Sequence, residues 1–196
     1  MTAYSNWVQD FPTRCGDLLD MAKQCRNREV TLSLVVAAAG FVIPFERLNS
    51  EHPAGDEQRY PECARQLSVL LSGKFLGSIL HPQPETVWAY DNLKTIEGDP
   101  DGWGLQAKPL TPGKTVGGVL RVIRNAMAHG NLFTRGNPIE TILFASAHRN
   151  DAKEIVAFSV ISVTPEAFLL FLRNWFEFIK QQDVSQFDVW SLVGAT

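Results

Sequence analysis

Arg124, Asn125 and His129 stand within six positions of one another and carry the groups from which a metal-free site acting on RNA can be assembled. An imidazole takes a proton from a ribose 2′-hydroxyl or returns one to the departing oxygen. A guanidinium offsets the charge that builds on the phosphate, and a carboxamide orients either group. At about 100° per residue, Val119, Leu120, Val122, Ile123, Ala126 and Met127 share one apolar arc of a helix, and Arg121, Arg124, Asn125, Ala128 and His129 share the other. Gly130 suits the left-handed residue that ends a helix, so His129 is expected at the carboxyl end. Asn125 and His129, four apart, are surface neighbours, and Arg124 reaches toward His129 across small Ala128. Arg121, outside the motif but on the same face, is a candidate auxiliary phosphate contact. The bland alternative is an amphipathic helix with a solvated polar face and a histidine cap.

Spacing alone decides little, because composition gives roughly 0.2 Arg/His pairs at this separation by chance. A second match, Arg47 with His52, runs from a helix end into a turn and has a leucine after its arginine and a proline after its histidine, so it reads as noise. The run Pro112-Gly113-Lys114-Thr115 has the tail of a phosphate-binding loop, but Lys108 stands where its first glycine is required. Asp99-Pro100-Asp101-Gly102 lacks the further ligands of a calcium loop and reads as a turn. Trp88, Tyr90 and Trp103 could stack bases, although aromatics in a long connection more often anchor it to the core.

The elements that must position the motif follow from hydrophobic periodicity. Cys15, Leu18, Leu19, Ala22 and Cys25 predict an amphipathic helix from Arg14 to about Arg26. Val30–Phe45 is apolar nearly all round, which predicts a core helix covered on several sides. A turn at Asn49–Gly55 precedes a third helix bearing Cys63, Leu67, Leu70, Leu71, Phe75 and Ile79, in which Gly73 and Gly77 suggest close packing. Residues 81–118, dense in proline and glycine, predict an ordered but irregular insertion. Thr111-Pro112 offers a cap and first position for the motif helix. Residues 139–148 and 154–163 alternate as the strands of a β-hairpin, and Thr164-Pro165-Glu166 opens a very apolar last helix. That helix carries more apolar surface than one core face uses, which a second subunit, the hairpin or the insertion would cover.

With 196 residues and 45% hydrophobic content, the chain can form one domain, 1–196, with a substantial core. Three cysteines without Cys-x-x-Cys spacing suggest neither a disulfide framework nor a zinc site, and the expected compartment is a reducing cytoplasm. Residues 1–11 show no signal-peptide pattern, and the uncharged Val30–Phe45 stretch falls short of the roughly 20 residues that span a bilayer, so no membrane association is expected. A net charge of −3 argues against coating nucleic acid by bulk electrostatics, so any such contact must be local.

The segment Arg124-Asn125-Ala126-Met127-Ala128-His129-Gly130 resembles the signature of the HEPN superfamily (higher eukaryotes and prokaryotes nucleotide-binding): an arginine, a polar residue, further positions and a histidine near a helix end. The resemblance implies a mainly α fold, a HEPN-like helical bundle of about five helices, here with a β-hairpin inserted before the last helix. It further implies a metal-independent endoribonuclease without cofactor, which cleaves RNA by 2′-hydroxyl attack in a composite site of a homodimer. His129 would be the acid/base, Arg124 the phosphate-stabilising group and Asn125 the orienting group. Family members frequently serve as toxins or antiviral effectors, with an antitoxin or regulator as partner, and others form dimers that only bind a nucleotide, RNA or protein. The hairpin and the 81–118 insertion depart from a minimal bundle.

Overall fold

A four-stranded antiparallel sheet, in the order Ala89–Leu93, Ile155–Val163, Thr141–Arg149, Leu132–Arg135, replaces the helical bundle with a simple hairpin that the resemblance implies. The computed structural model describes residues 7–22, 28–48, 60–83 and 87–182. The expected hairpin strands are present as β3 (Thr141–Arg149) and β4 (Ile155–Val163). Two edge strands that periodicity did not predict flank them: β1 (Ala89–Leu93), from within the expected irregular insertion, and β2 (Leu132–Arg135), directly after the motif. Both are too short for a period-two signal, and β1 contains Asp91 and Asn92, which are poor strand formers. Tertiary pairing supplies what propensity does not: β1 lies against β4, and the peptide groups of Tyr90 and Leu110 bond across to Lys108 and Trp88 on its outer side.

The chain divides into two compact units, residues 71–171 and the remainder, with the dividing points inside the helices Pro61–Ser72 and Pro165–Lys180. Residues 71–171 are built around β3, whose Ile142–Ser146 segment is buried on both faces. Leu143 and Ala145 point to one face, with Val160, under Trp103. Trp103 packs edge-on against Phe133 at 4.6 Å and donates its indole N–H to the Glu97 carbonyl. The alternate residues face the motif helix, Val116–Ala128, which buries Val119, Leu120, Ile123 and Ala126. On that same face Phe144 meets Phe168 at 5.1 Å. Trp88 and Trp103 therefore anchor the insertion, whereas Tyr90 is half-buried.

The motif helix starts at Thr115, one turn later than Thr111-Pro112 suggests, because Lys114 N–H closes a turn onto the Thr111 carbonyl. Backbone bonds from Phe75 to Lys114 and from Val116 to Gly73 hold this start in place. Thr115 Oγ1 then accepts from Gly118 N–H at 3.1 Å as the helix cap.

In the other unit, Trp7–Ala22 packs with the helical run Glu29–Arg47, whose middle, Ala38–Val42, is a π-helical turn. This run is long and apolar enough to cross a membrane by length and composition. Here Val36, Ala37, Phe41 and Phe45 are buried, while Val35 and Ile43 are exposed, so fewer of its sides are covered than its composition suggests. Trp175 stands edge-on to Phe41 at 5.2 Å and donates to the Gly40 carbonyl at 3.1 Å.

Several boundaries differ from the periodicity. The first helix begins at Trp7 and runs through Pro12, and Cys25 lies outside the described residues, as do the Asn49–Gly55 turn and His52 of the second Arg/His match. The third helix ends at Ser72, and Gly77 adopts φ +82° in a turn with open space around it, so it is a turn residue rather than a packing one. Thr164-Pro165 opens the last helix as expected, with Thr164 Oγ1 accepting from Ala167 N–H. Asp99-Pro100-Asp101-Gly102 is a plain turn in which Asp99 caps Asp101.

Two stability measurements check this packing. A Cβ on Gly40 would lie 2.7 Å from Phe176 Cε1 and 2.8 Å from Cys15 Cβ. Gly40→Ala is therefore expected to destabilise the protein by about 1–3 kcal/mol in denaturant unfolding. Thr115→Ala should lose about 1 kcal/mol in the same assay, and Thr115→Ser should lose little.

Candidate active site

The motif residues lie on the last turns of Val116–Ala128, and the chain leaves that helix through a tightly specified end. His129 is the C-cap, Gly130 follows at φ +68°, and Asn131 N–H returns to the Ala126 carbonyl at 2.8 Å. With Gly130 N–H directed to the Met127 carbonyl, this is a Schellman end, and it holds His129 at the helix terminus. The His129 ring is exposed and takes no hydrogen bond from another described residue.

Arg124 and Asn125 form one unit. The Arg124 guanidinium donates through Nη1 to Asn125 Oδ1 at 2.6 Å, and Asn125 Nδ2 donates to Ser146 Oγ on β3 at 3.1 Å. The carboxamide thus ties the arginine to the sheet. Asn125 is half-buried between helix and sheet rather than on a freely solvated face, while Arg121 is exposed.

Arg121 and Asn125 also line a groove of about 310 Å3 between this helix and the sheet, and Arg124 and His129 are not among its lining residues. Its sheet side is polar for a definable reason. In β3 the residues facing the helix run Ile142, Phe144, Ser146, His148, and in β4 the matching positions include Ile161 and Ser159. The row begins apolar and ends polar, so the helix packs tightly at one end and leaves a cleft with polar groups on its sheet side at the other. There His148 Nε2 lies 2.6 Å from Ser159 Oγ, and Tyr90 Oη lies 2.8 Å from the same oxygen. Asn92 Oδ1 accepts from Tyr90 Oη at 2.8 Å and from Ser159 Oγ at 3.2 Å. Lys114 Nζ stands 3.6 Å from the Tyr90 ring centroid.

Sequence reasoning missed Ser146, His148 and Ser159, and it weighed Lys114 only as the tail of a phosphate-binding loop, which it rejected. The period-two pattern of the hairpin contained the signal for the first three, since Ser146, His148 and Ser159 occupy inward positions of strands otherwise filled by apolar residues. Lys114 gave no such signal, because its position follows from the turn before the helix.

The two described cysteines are poor candidate nucleophiles. Burial pushes the Cys15 thiol up to about 11 and the Cys63 thiol up to about 12, so neither is a thiolate near neutral pH. Among the described residues no group of three or more His, Cys, Asp or Glu stands close enough to hold a metal ion.

No curated protein and no solved structure matches the chain. A family model described as HEPN pEK499 p136 matches residues 1–186. That match runs through the motif helix, the sheet and the last helix, and on it the chain belongs to the HEPN pEK499 p136 family.

Proposed function

We propose that the protein is a metal-independent endoribonuclease and that Arg124, Asn125 and His129 form its half of a composite site in a homodimer. The observation that carries this reading is the arrangement at the helix end. The His129 ring is exposed on a fixed cap with no hydrogen bond from a described residue, and Arg124, on the last turns of the same helix, is held at 2.6 Å by its neighbouring carboxamide. In this reading His129 moves the proton, Arg124 meets the negative charge on the phosphate, and Asn125 sets the arginine's position. The 2′-oxygen attacks the adjacent phosphorus, the bond to the 5′-oxygen breaks, and that oxygen takes a proton, which leaves a 2′,3′-cyclic phosphate.

The reaction needs one group to accept a proton and another to donate one. The motif supplies one imidazole per chain, so a second copy facing the first would complete the pair. Family membership supports the reading at the level of a HEPN-type module. Unregulated RNA cleavage harms a cell, which makes a toxin or defence effector held by an antitoxin or another regulator the fitting biological setting.

In a cleavage assay with single-stranded RNA, His129→Ala and Arg124→Ala should each lower the rate by about 100-fold or more. Chelator should leave wild-type cleavage intact, and DNA of the same sequence should not be cut. Cleavage retained by both variants would remove the site from these residues.

A further inference from the structure

From the groove beside the motif we infer a second phosphate-binding subsite, built by Lys114, Arg121 and His148, that holds an RNA strand next to the phosphate being cleaved. The inference rests on the RNA reading above, but it concerns residues outside the motif.

Charge is the first argument. None of the groove's lining residues is an aspartate or glutamate, although the chain carries a net charge of −3, and two cations, Lys114 and Arg121, stand along its wall. A cleft lined by one sign of charge favours the opposite sign in its ligand. Its volume of about 310 Å3 lies at the low end of small-ligand sites, the size of one nucleotide unit rather than of a duplex.

The second argument is the polar cluster on the sheet. Ser146 and Ser159 are 6% and 2% exposed, so their hydroxyls are built into the groove floor rather than scattered on a surface. Ser159 Oγ lies within hydrogen-bond distance of His148 Nε2, Tyr90 Oη and Asn92 Oδ1, at 2.6, 2.8 and 3.2 Å. That arrangement fixes the imidazole plane and leaves Nδ1 without a partner among the described residues. In the tautomer or charge state that carries a proton on Nδ1, that N–H can donate to a phosphate oxygen. The Tyr90 ring in turn holds the Lys114 ammonium at 3.6 Å, which limits the freedom of a side chain that would otherwise sample many rotamers.

The third argument is continuity. Arg121, Asn125 and His129 are spaced four apart, so they follow one line along the helix surface, and the first two line the groove. From Arg121 to His129 the helix rises about 12 Å, enough to separate neighbouring contacts on one strand. A strand with a phosphate at Lys114, Arg121 and His148 is thereby led past Asn125 toward the motif.

The test uses the full chain and a fluorescein-labelled single-stranded 2′-fluoro oligonucleotide, which cannot be cleaved by 2′-hydroxyl attack, with affinity read by anisotropy across a salt series. Lys114→Gln should weaken binding roughly tenfold and lower the slope of log affinity against log salt by about 0.7, the value for one phosphate contact on a single strand. Lys114→Arg should restore both, and His148→Gln should weaken binding with its thermal unfolding unchanged. Wild-type affinity and slope in Lys114→Gln would overturn the inference, as would a wild-type protein that does not bind the strand. Equal displacement by a nucleoside monophosphate whatever the strand length would assign the groove to a free nucleotide and also overturn it. Cleavage of the matching all-ribose strand is scored separately, so strand binding without cleavage counts against the motif alone.

Discussion

Burial of β3 on both faces is the constraint from which the rest of residues 71–171 follows. Ile142–Ser146 cannot be left to solvent on either side, so one face takes Trp103 and its surrounding segment and the other takes the motif helix. The apolar arc of that helix, Val119, Leu120, Ile123 and Ala126, supplies the matching surface. Because hydrophobic burial fixes the helix's rotation, the direction in which Asn125 points is settled by packing, and its bond to Ser146 completes what packing begins.

The same inward row explains why a cleft exists where it does. A strand whose inward positions stayed apolar to the end would draw the helix down along its whole length. Here Ser146 and His148 follow Ile142 and Phe144, and Ser159 stands opposite Ser146 across the pair. Polar groups at inward positions must be hydrogen-bonded, and they satisfy one another and Asn125 instead of being covered by aliphatic side chains. The groove thus opens at the point where apolar packing stops.

The helix end was legible in the sequence because one residue, Gly130, has a conformational role that others fill only under strain, and the structure gives it φ +68° at the close of the motif helix. The central hairpin was legible too, since nine-residue strands such as β3 and β4 are long enough for alternation to emerge. The edge strands were not, because four or five residues carry no period and their stability comes from partners distant in the chain. That gap is why a helical bundle was expected and a four-stranded sheet is found. At the site, helical phase grouped Arg121, Arg124, Asn125 and His129 on one face. It could not show that Asn125 turns inward to Ser146, a bond between residues 21 positions apart.

The central claim, that the motif directs a ribose hydroxyl onto its neighbouring phosphate, is tested most directly by the chemistry of the cut ends. Mass spectrometry of the fragments released from a defined RNA by the wild-type protein should find a 2′,3′-cyclic phosphate on one side of the break and a 5′-hydroxyl on the other. A 3′-hydroxyl paired with a 5′-phosphate would mean that water rather than the ribose attacked, and would contradict the account.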